Sequence, residues 1–418
     1  MIYTFKAERS VHFGGTRGSC TTIIDIPEPT NLIEKTLQEY VMKSMVEHYR
    51  YQFLPFVFYS KVMMRVARDF LIHRTGSRDS LFNHVYEVFS FCKWIGKQPD
   101  QLIEECNVQM ALNSAQTIQN LRKRIDEYIF FQKDKGLLPT SISNSLYNLR
   151  IFFRINDIDL NLNFKLKLNP LKSCRSITLE ELQKVLSIAD LRKKVTVGIL
   201  AVSGIRPGTL VKLQYRHVKH DLEKGIYPIH MAIESQITKG SYCGYSTFIN
   251  TEVGEYLKEY LNNRRKGTKH LKPEVIQDNT PLIKQMCRKE RVEPMKTRTV
   301  GILLRELFFQ SGILTKKPHA KSFDYELTTG SLRKFFRTQM SVLGVEQHFI
   351  EYMLGHKKDA YFDVKMVGID YLRRVYNLSG ISISETKDDK IVLLKKSIER
   401  LGYNPEEILK PEFLKQNH

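Results

Sequence analysis

The chain has little of what would mark a secreted or membrane-bound protein. Its six cysteines, Cys20, Cys92, Cys106, Cys174, Cys243 and Cys287, are scattered, with no Cys-x-x-Cys pair and no clustered histidines. That spacing gives no sign of a disulfide framework or a zinc site, and it fits a reducing, intracellular compartment. Long apolar runs are missing as well. The most apolar early stretch, Phe53 to Phe58, is far too short to span a bilayer, and Met1 to Ser10 is charged where a signal peptide would be apolar. A soluble protein is expected. Internal repeats and low-complexity tracts are absent, and residues 1–58 hold no recognisable chemical motif.

Acidic residues are in short supply too. Against 45 Asp and Glu stand 65 Lys and Arg, a formal charge of +20. Such an excess implies a polyanionic partner, with nucleic acid the first candidate. At 418 residues the chain exceeds what one apolar core comfortably serves, so more than one domain is expected.

The patterning divides the chain four ways. Residues 1–58 read as an N-terminal extension of unknown role. Between 59 and 165 three apolar faces recur at helical spacing: Leu81, Val85, Val88, Phe89 and Cys92; Ile118, Leu121, Ile125, Tyr128 and Ile129; then Ile142, Leu146, Leu149, Phe152 and Phe153. Lys93, Lys97, Arg122, Lys123, Arg124 and Arg150 fall on the outer sides, making a small basic helical domain able to grip a duplex. Leu160 to Pro170 alternates apolar residues with Asn and Lys and reads as an extended linker. A second domain covers 166–385 and opens with the capping box Thr178-Leu-Glu-Glu181. Within it, Ile226 to Asn250 alternates around Lys239-Gly240 as a β-hairpin does. Residues 386–418 read as a short basic helical tail.

Five residues of the second domain suggest phosphate chemistry. Arg206 stands at a turn with Pro207 suited to the first helical position, and a helix start and a guanidinium fork both favour an anionic oxygen. Lys239 sits at the hairpin tip, from which it can reach into a groove and give a proton to a leaving oxygen. Arg333 lies among Leu332, Phe335, Phe336 and Met340 on an amphipathic helix, so it should be partly desolvated and in need of an anionic partner. No acidic residue stands at helical spacing from it, which excludes a local pair. His356 follows a Leu-Gly turn, and Tyr361 comes five residues later among Lys357, Lys358, Asp359 and Asp363, in surroundings too polar for an ordinary core position. A tyrosine attacks phosphate at neutral pH only where cations neutralise the charge and a partner takes its proton. Tyr371 and Tyr376 compete with Tyr361, although their helical spacing suits packing.

Arg206, Lys239, Arg333, His356 and Tyr361, in this order and after a basic helical domain, resemble the tyrosine recombinases of the phage-integrase family. The stretches Ile237 to Phe248, Ser331 to Thr338 and Tyr361 to Met366 are similar to those of archaeal integrases. The likeness covers about residues 75 to 385. It implies a mainly α fold with a small β-sheet: a helical core-binding domain and a mixed α/β catalytic domain, closing as a C-shaped clamp on duplex DNA. By the same resemblance Arg206 and Arg333 clamp the scissile phosphate and Lys239 protonates the 5′ oxygen. His356 bonds the phosphate or assists proton transfer, and Tyr361 attacks to give a 3′-phosphotyrosyl intermediate. No cofactor, metal or ATP is implied. The partners implied are double-stranded DNA and three further copies of the chain, as a homo-tetramer on two sites. The location implied is the cytoplasm, on the nucleoid. Two departures stand out: Gly330 occupies the place of the histidine in the family's His-x-x-Arg pattern, with Ser331, Thr329 and His319 nearby, and the gap from His356 to Tyr361 is short. Two other readings stay open, a cleavage-inactive integrase-like DNA-binding protein and a type IB topoisomerase-like enzyme.

Overall fold

The computed structural model describes residues 2–8, 19–26, 28–48, 50–74, 76–160, 174–241, 243–268, 272–285, 292–316, 325–356, 364–384, 395, 398–399 and 402–408. It divides into two compact units, Met1–Pro170 and Leu171–His418, each with its own apolar core. Among the described residues no helix is long and apolar enough to cross a membrane.

The first unit begins with an antiparallel hairpin, β1 (Ile2–Glu8) and β2 (Ser19–Asp25), in which Ile2 faces Asp25. Six helices follow: α1 (Leu32–Glu47), α2 (Phe53–Phe58), α3 (Lys61–Ile72), α4 (Arg78–Ile95), α5 (Pro99–Asp134) and α6 (Pro139–Ile155). Side chains punctuate them where the chain must turn. Asn31, Ser60 and Ser77 accept bonds from exposed amides at the starts of α1, α3 and α4, and Pro99 and Pro139 open α5 and α6, where a missing N–H costs nothing. The 36-residue α5 is two helical segments that meet at a kink. Asn113 leaves helical geometry at φ −154° and ψ 97°, and its side chain accepts from the Gln116 amide, capping the second segment.

The boundary expected at residue 58 does not match the packing. Leu37, Val41 and Met45 stand four residues apart on α1, a stripe that must be covered, and α1 packs on α4. Phe53, Leu54 and Val57 of α2 join the same core as Val66, Leu81, Val85, Leu121 and Phe152. Residues 32–58 therefore belong to the helical unit. The segment read as a linker lies, from residue 161 to 170, outside the described residues.

The second unit is mainly α-helical, with one small sheet. Its elements are α7 (Leu179–Ile188), α8 (Leu191–Ser203), α9 (Pro207–Leu210), α10 (Lys219–Lys224), β3 (Ile229–Ile233), β4 (Tyr245–Ile249), α11 (Thr251–Lys266), α12 (Thr297–Gln310), α13 (Thr329–Val342), α14 (Gln347–Met353) and α15 (Ile369–Ser379). The Thr178–Glu181 capping box forms as the sequence suggests, and Arg175 adds a bidentate pair to the Glu181 carboxylate. Strands β3 and β4 pair antiparallel with Ile229 opposite Ile249. Buried α8 is the hub: α11, α13 and β4 all pack on it, and every residue from Val195 to Ser203 is buried.

One arginine of this unit is structural. Arg264, at the end of α11, is 1% exposed and meets Glu274 with its Nε and the carbonyls of Pro281 and Leu282 with its Nη1, both at 2.9 Å. Lys284 reaches the other Glu274 oxygen at 3.0 Å. A carboxylate shared by two cations ties the irregular segment 274–284 to the helix that precedes it.

Candidate functional site

The end of α8 and the starts of α9 and α13 set the two arginines. Gly204 ends α8 in the left-handed region at φ +66°, and a Cβ there would lie 2.4 Å from the Phe336 ring and 2.8 Å from Leu354. The chain then turns so that Arg206 caps α9, with Pro207 as its first residue. The carbonyl of Arg206 accepts from the Thr209 and Leu210 amides, while its guanidinium has no hydrogen-bond or ion-pair partner among the described residues. From α13, whose buried stripe is Leu332, Phe335, Phe336 and Met340, Arg333 projects half-buried.

Arg333 is held by three acceptors. Its Nη1 donates to the Gly204 carbonyl at 2.6 Å, and its Nη2 donates to the Leu354 carbonyl at 2.6 Å and to His356 Nε2 at 2.8 Å. None of these acceptors is an anion, so its charge is fixed in place without a direct carboxylate contact among the described residues. Burial, and then the Arg206 guanidinium beside it, pull its pKa down to about 10. Among the described residues, then, no carboxylate bonds directly to Arg333 as the anionic partner expected from the sequence. A ligand anion is the group that would relieve this strain.

His356 is oriented by what surrounds it. Because Nε2 accepts from Arg333, the ring hydrogen is on Nδ1, and Nδ1–H donates to Glu351 Oε2. The other oxygen of Glu351 accepts from Arg337 Nε at 2.9 Å. Burial alone would raise the Glu351 carboxyl, but its bonds with His356 and Arg337 outweigh this and hold it below the ordinary range. His356 follows Gly355, at φ +64°, where a Cβ would come within 2.4 Å of the Tyr245 ring. Tyr245, from β4, is buried against this turn. Burial pushes its phenol up, against the pull of Arg333 and Arg206.

Lys239 is exposed in the connection between β3 and β4, at the head of a short 3-10 turn in which Gly240 takes φ +79°. The hairpin is the one the alternating pattern indicated. Tyr361 and His319 lie outside the described residues, as do Lys357, Lys358, Asp359 and Asp363. The structure thus brings Arg206, Arg333 and His356 together. Of the competing tyrosines, Tyr376 is 1% exposed and donates to the Val202 carbonyl at 2.8 Å, a packing role. Tyr371 is exposed on α15, its ring 5.8 Å from Phe349. Gly330 sits exposed in the first turn of α13, where its amide donates to Thr328 Oγ1. Among the described residues no group of three or more His, Cys, Asp and Glu could hold a metal ion.

Glu351 was not foreseen as part of the site. A signal existed: one carboxylate among Phe349, Ile350, Tyr352 and Met353, five residues before His356.

With this geometry in view, residues 175–365 match the phage integrase family. The matched stretch lies within the second unit and contains Arg206, Lys239, Arg333, His356 and Tyr361. The tyrosine recombinase XerA of Pyrococcus horikoshii is 27% identical over 231 residues, 54% of this chain and 68% of that protein. A crystal structure of XerA recombinase aligns at 17% identity with a TM-score of 0.33, covering 88% of this chain and 98% of that one. The XerH site-specific recombinase, bound to its difH substrate, aligns at 13% identity with a TM-score of 0.45, covering 84% and 95%.

Proposed function

We propose that the chain is a site-specific DNA recombinase that cleaves and rejoins duplex DNA through a 3′-phosphotyrosyl intermediate. The observation that carries this reading is Arg333, fixed by uncharged acceptors beside Arg206 inside the integrase-matching region. A guanidinium pair arranged this way costs stability without a ligand and binds a phosphodiester without reorganising. In this reading Arg206 and Arg333 clamp the non-bridging oxygens, Lys239 protonates the departing 5′ oxygen, His356 serves proton transfer and Tyr361 is the nucleophile. The phosphotyrosyl bond conserves the energy for religation, so neither metal nor ATP is called on.

The partner proposed is double-stranded DNA, supported by the net charge of +20 and by the family. The helical unit, residues 32–58 included, is proposed as a core-binding domain and the second unit as the catalytic one, with four protomers acting on two sites. Binding should weaken steeply with salt, since each neutralised phosphate releases condensed counterions.

A duplex nicked beside the cleavage position tests the chemistry. Wild-type protein should form a covalent adduct on a denaturing gel, and Tyr361→Phe should form none while still shifting DNA. An adduct formed by Tyr361→Phe moves the nucleophile to Tyr371. No adduct with the wild type would make the chain a DNA-binding relative without cleavage. Exchange of strands between two labelled duplexes separates recombination from simple relaxation.

A further inference from the structure

We infer that Glu351 is a positioning residue for the strand-transfer step: it makes His356 the proton acceptor for the attacking tyrosine, in place of the histidine that Gly330 lacks. This rests on the recombinase reading above. The family pattern puts a histidine three residues before the second arginine, and that position is glycine here, so a proton acceptor must come from elsewhere in the site.

The described geometry supplies one. Glu351 Oε2 takes the Nδ1–H of His356, which leaves the Nε2 lone pair facing Arg333. An imidazole whose far nitrogen donates to a carboxylate is held in one tautomer and gains a counter-charge as it becomes imidazolium. Among the described residues, the charged and titratable groups around His356 are Arg333 on one side and Glu351 on the other, with Arg337 on the remaining Glu351 oxygen and Arg206 and Tyr245 beyond Arg333. Glu351 is the anion among them. Without it the proton would arrive beside two guanidinium groups that have no carboxylate of their own among the described residues.

The step balances. A phosphate oxygen entering the clamp competes for the Arg333 Nη2–H and frees Nε2. The tyrosine oxygen forms its bond to phosphorus while the bond from phosphorus to the 5′ oxygen breaks. The tyrosine proton ends on His356 Nε2, and Lys239 gives a proton to the 5′ oxygen. Religation runs the same transfers backwards.

The test is single-turnover adduct formation on the nicked duplex, with DNA affinity measured in parallel. Glu351→Ala should slow the adduct about 10- to 100-fold and leave affinity within about twofold. Glu351→Gln, which keeps the shape and the fold, should be slowed as well, because an amide gives no counter-charge. The double variant Glu351→Ala/His356→Ala should be no slower than His356→Ala alone, as for two parts of one device. A substrate with sulfur at the 5′ bridging position, whose leaving group needs no proton, should restore Lys239→Ala and leave the Glu351→Ala defect in place. Wild-type rates in both Glu351 variants, or a Glu351→Ala defect that adds to that of His356→Ala, would overturn the proposal. Wild-type protein that forms no adduct would sink the recombinase reading itself, a result distinct from either.

Discussion

Arg264 and Arg333 both carry a guanidinium into the interior of the second unit, and they are held by different means. Arg264 meets a carboxylate and two carbonyls, and Lys284 shares that carboxylate, so its charge is answered within the unit, although its Nη2 is buried without a partner. Arg333 meets two carbonyls and a neutral imidazole, and a second arginine stands beside it. The first arrangement closes a segment against a helix. The second leaves a fixed positive charge with no direct carboxylate partner among the described residues, so the two arginines differ in the charge of their acceptors.

The largest expected effect breaks the comparison at Arg333. Arg333→Ala should slow adduct formation by about 10²- to 10³-fold, the range for removing one donor to a developing oxyanion, with little change in DNA affinity or melting temperature. The guanidinium is costly to desolvate, so losing it does not unfold the protein. A large fall in melting temperature with cleavage per folded molecule intact would make Arg333 another Arg264.

At Arg264 the expected outcome reverses. Arg264→Met removes one partner of a buried carboxylate and should cost about 3 kcal/mol, near the low end for such a loss because Lys284 still holds Glu274. Denaturant unfolding measures it, and the folded fraction should cleave normally.

A third solution to burying an ionisable group lies in the first unit. His84 is fully buried against Phe70, and burial pulls its pKa down to about 4 from the ordinary 6.5. The ring is kept neutral. The unfolded chain takes up a proton near pH 6.5 and the folded one does not until about pH 4, so the stability contributed is complete above pH 6.5 and is lost as pH falls through that window. The loss reaches about 3 kcal/mol at most. His84→Gln should flatten the pH dependence of unfolding between those limits; an unchanged acid limb would show that His84 carries none of it.

How much was legible follows the same physics. Local rules spoke clearly: the Thr178 box, the proline-led helices, the hairpin around Lys239 and the turn at Arg206 all depend on neighbours in sequence. The apolar stripes of α4 to α6 were plain at helical spacing. What stayed hidden depends on contacts between distant segments. The absence of a carboxylate at helical spacing from Arg333 was readable, yet Gly204 and Leu354, its actual acceptors, stand 129 and 21 residues away. Helix α1 carried a stripe too, but without a motif nothing tied Leu37 and Val41 to the core of residues 61–160. The β1–β2 hairpin was missed although Ile2 to Glu8 and Ser19 to Asp25 are rich in β-branched and aromatic residues.

The smallest effect sharpens the comparison at the edge of the site. Gly330 has no backbone demand for glycine: its φ is not in the left-handed region, and a Cβ would meet only Thr328 Oγ1, at 3.4 Å. Gly330→Ala should therefore stabilise the protein by about 0.5 kcal/mol through helix propensity and a less free unfolded chain, read as a small rise in melting temperature. Cleavage should be unchanged, because the proton acceptor is assigned to His356. If so, the missing histidine is not imposed by the fold of α13, and Gly330→His becomes informative in its turn. A second imidazole at that position should rescue His356→Ala, since it restores an acceptor beside Arg333, and should add little to a protein that already has one.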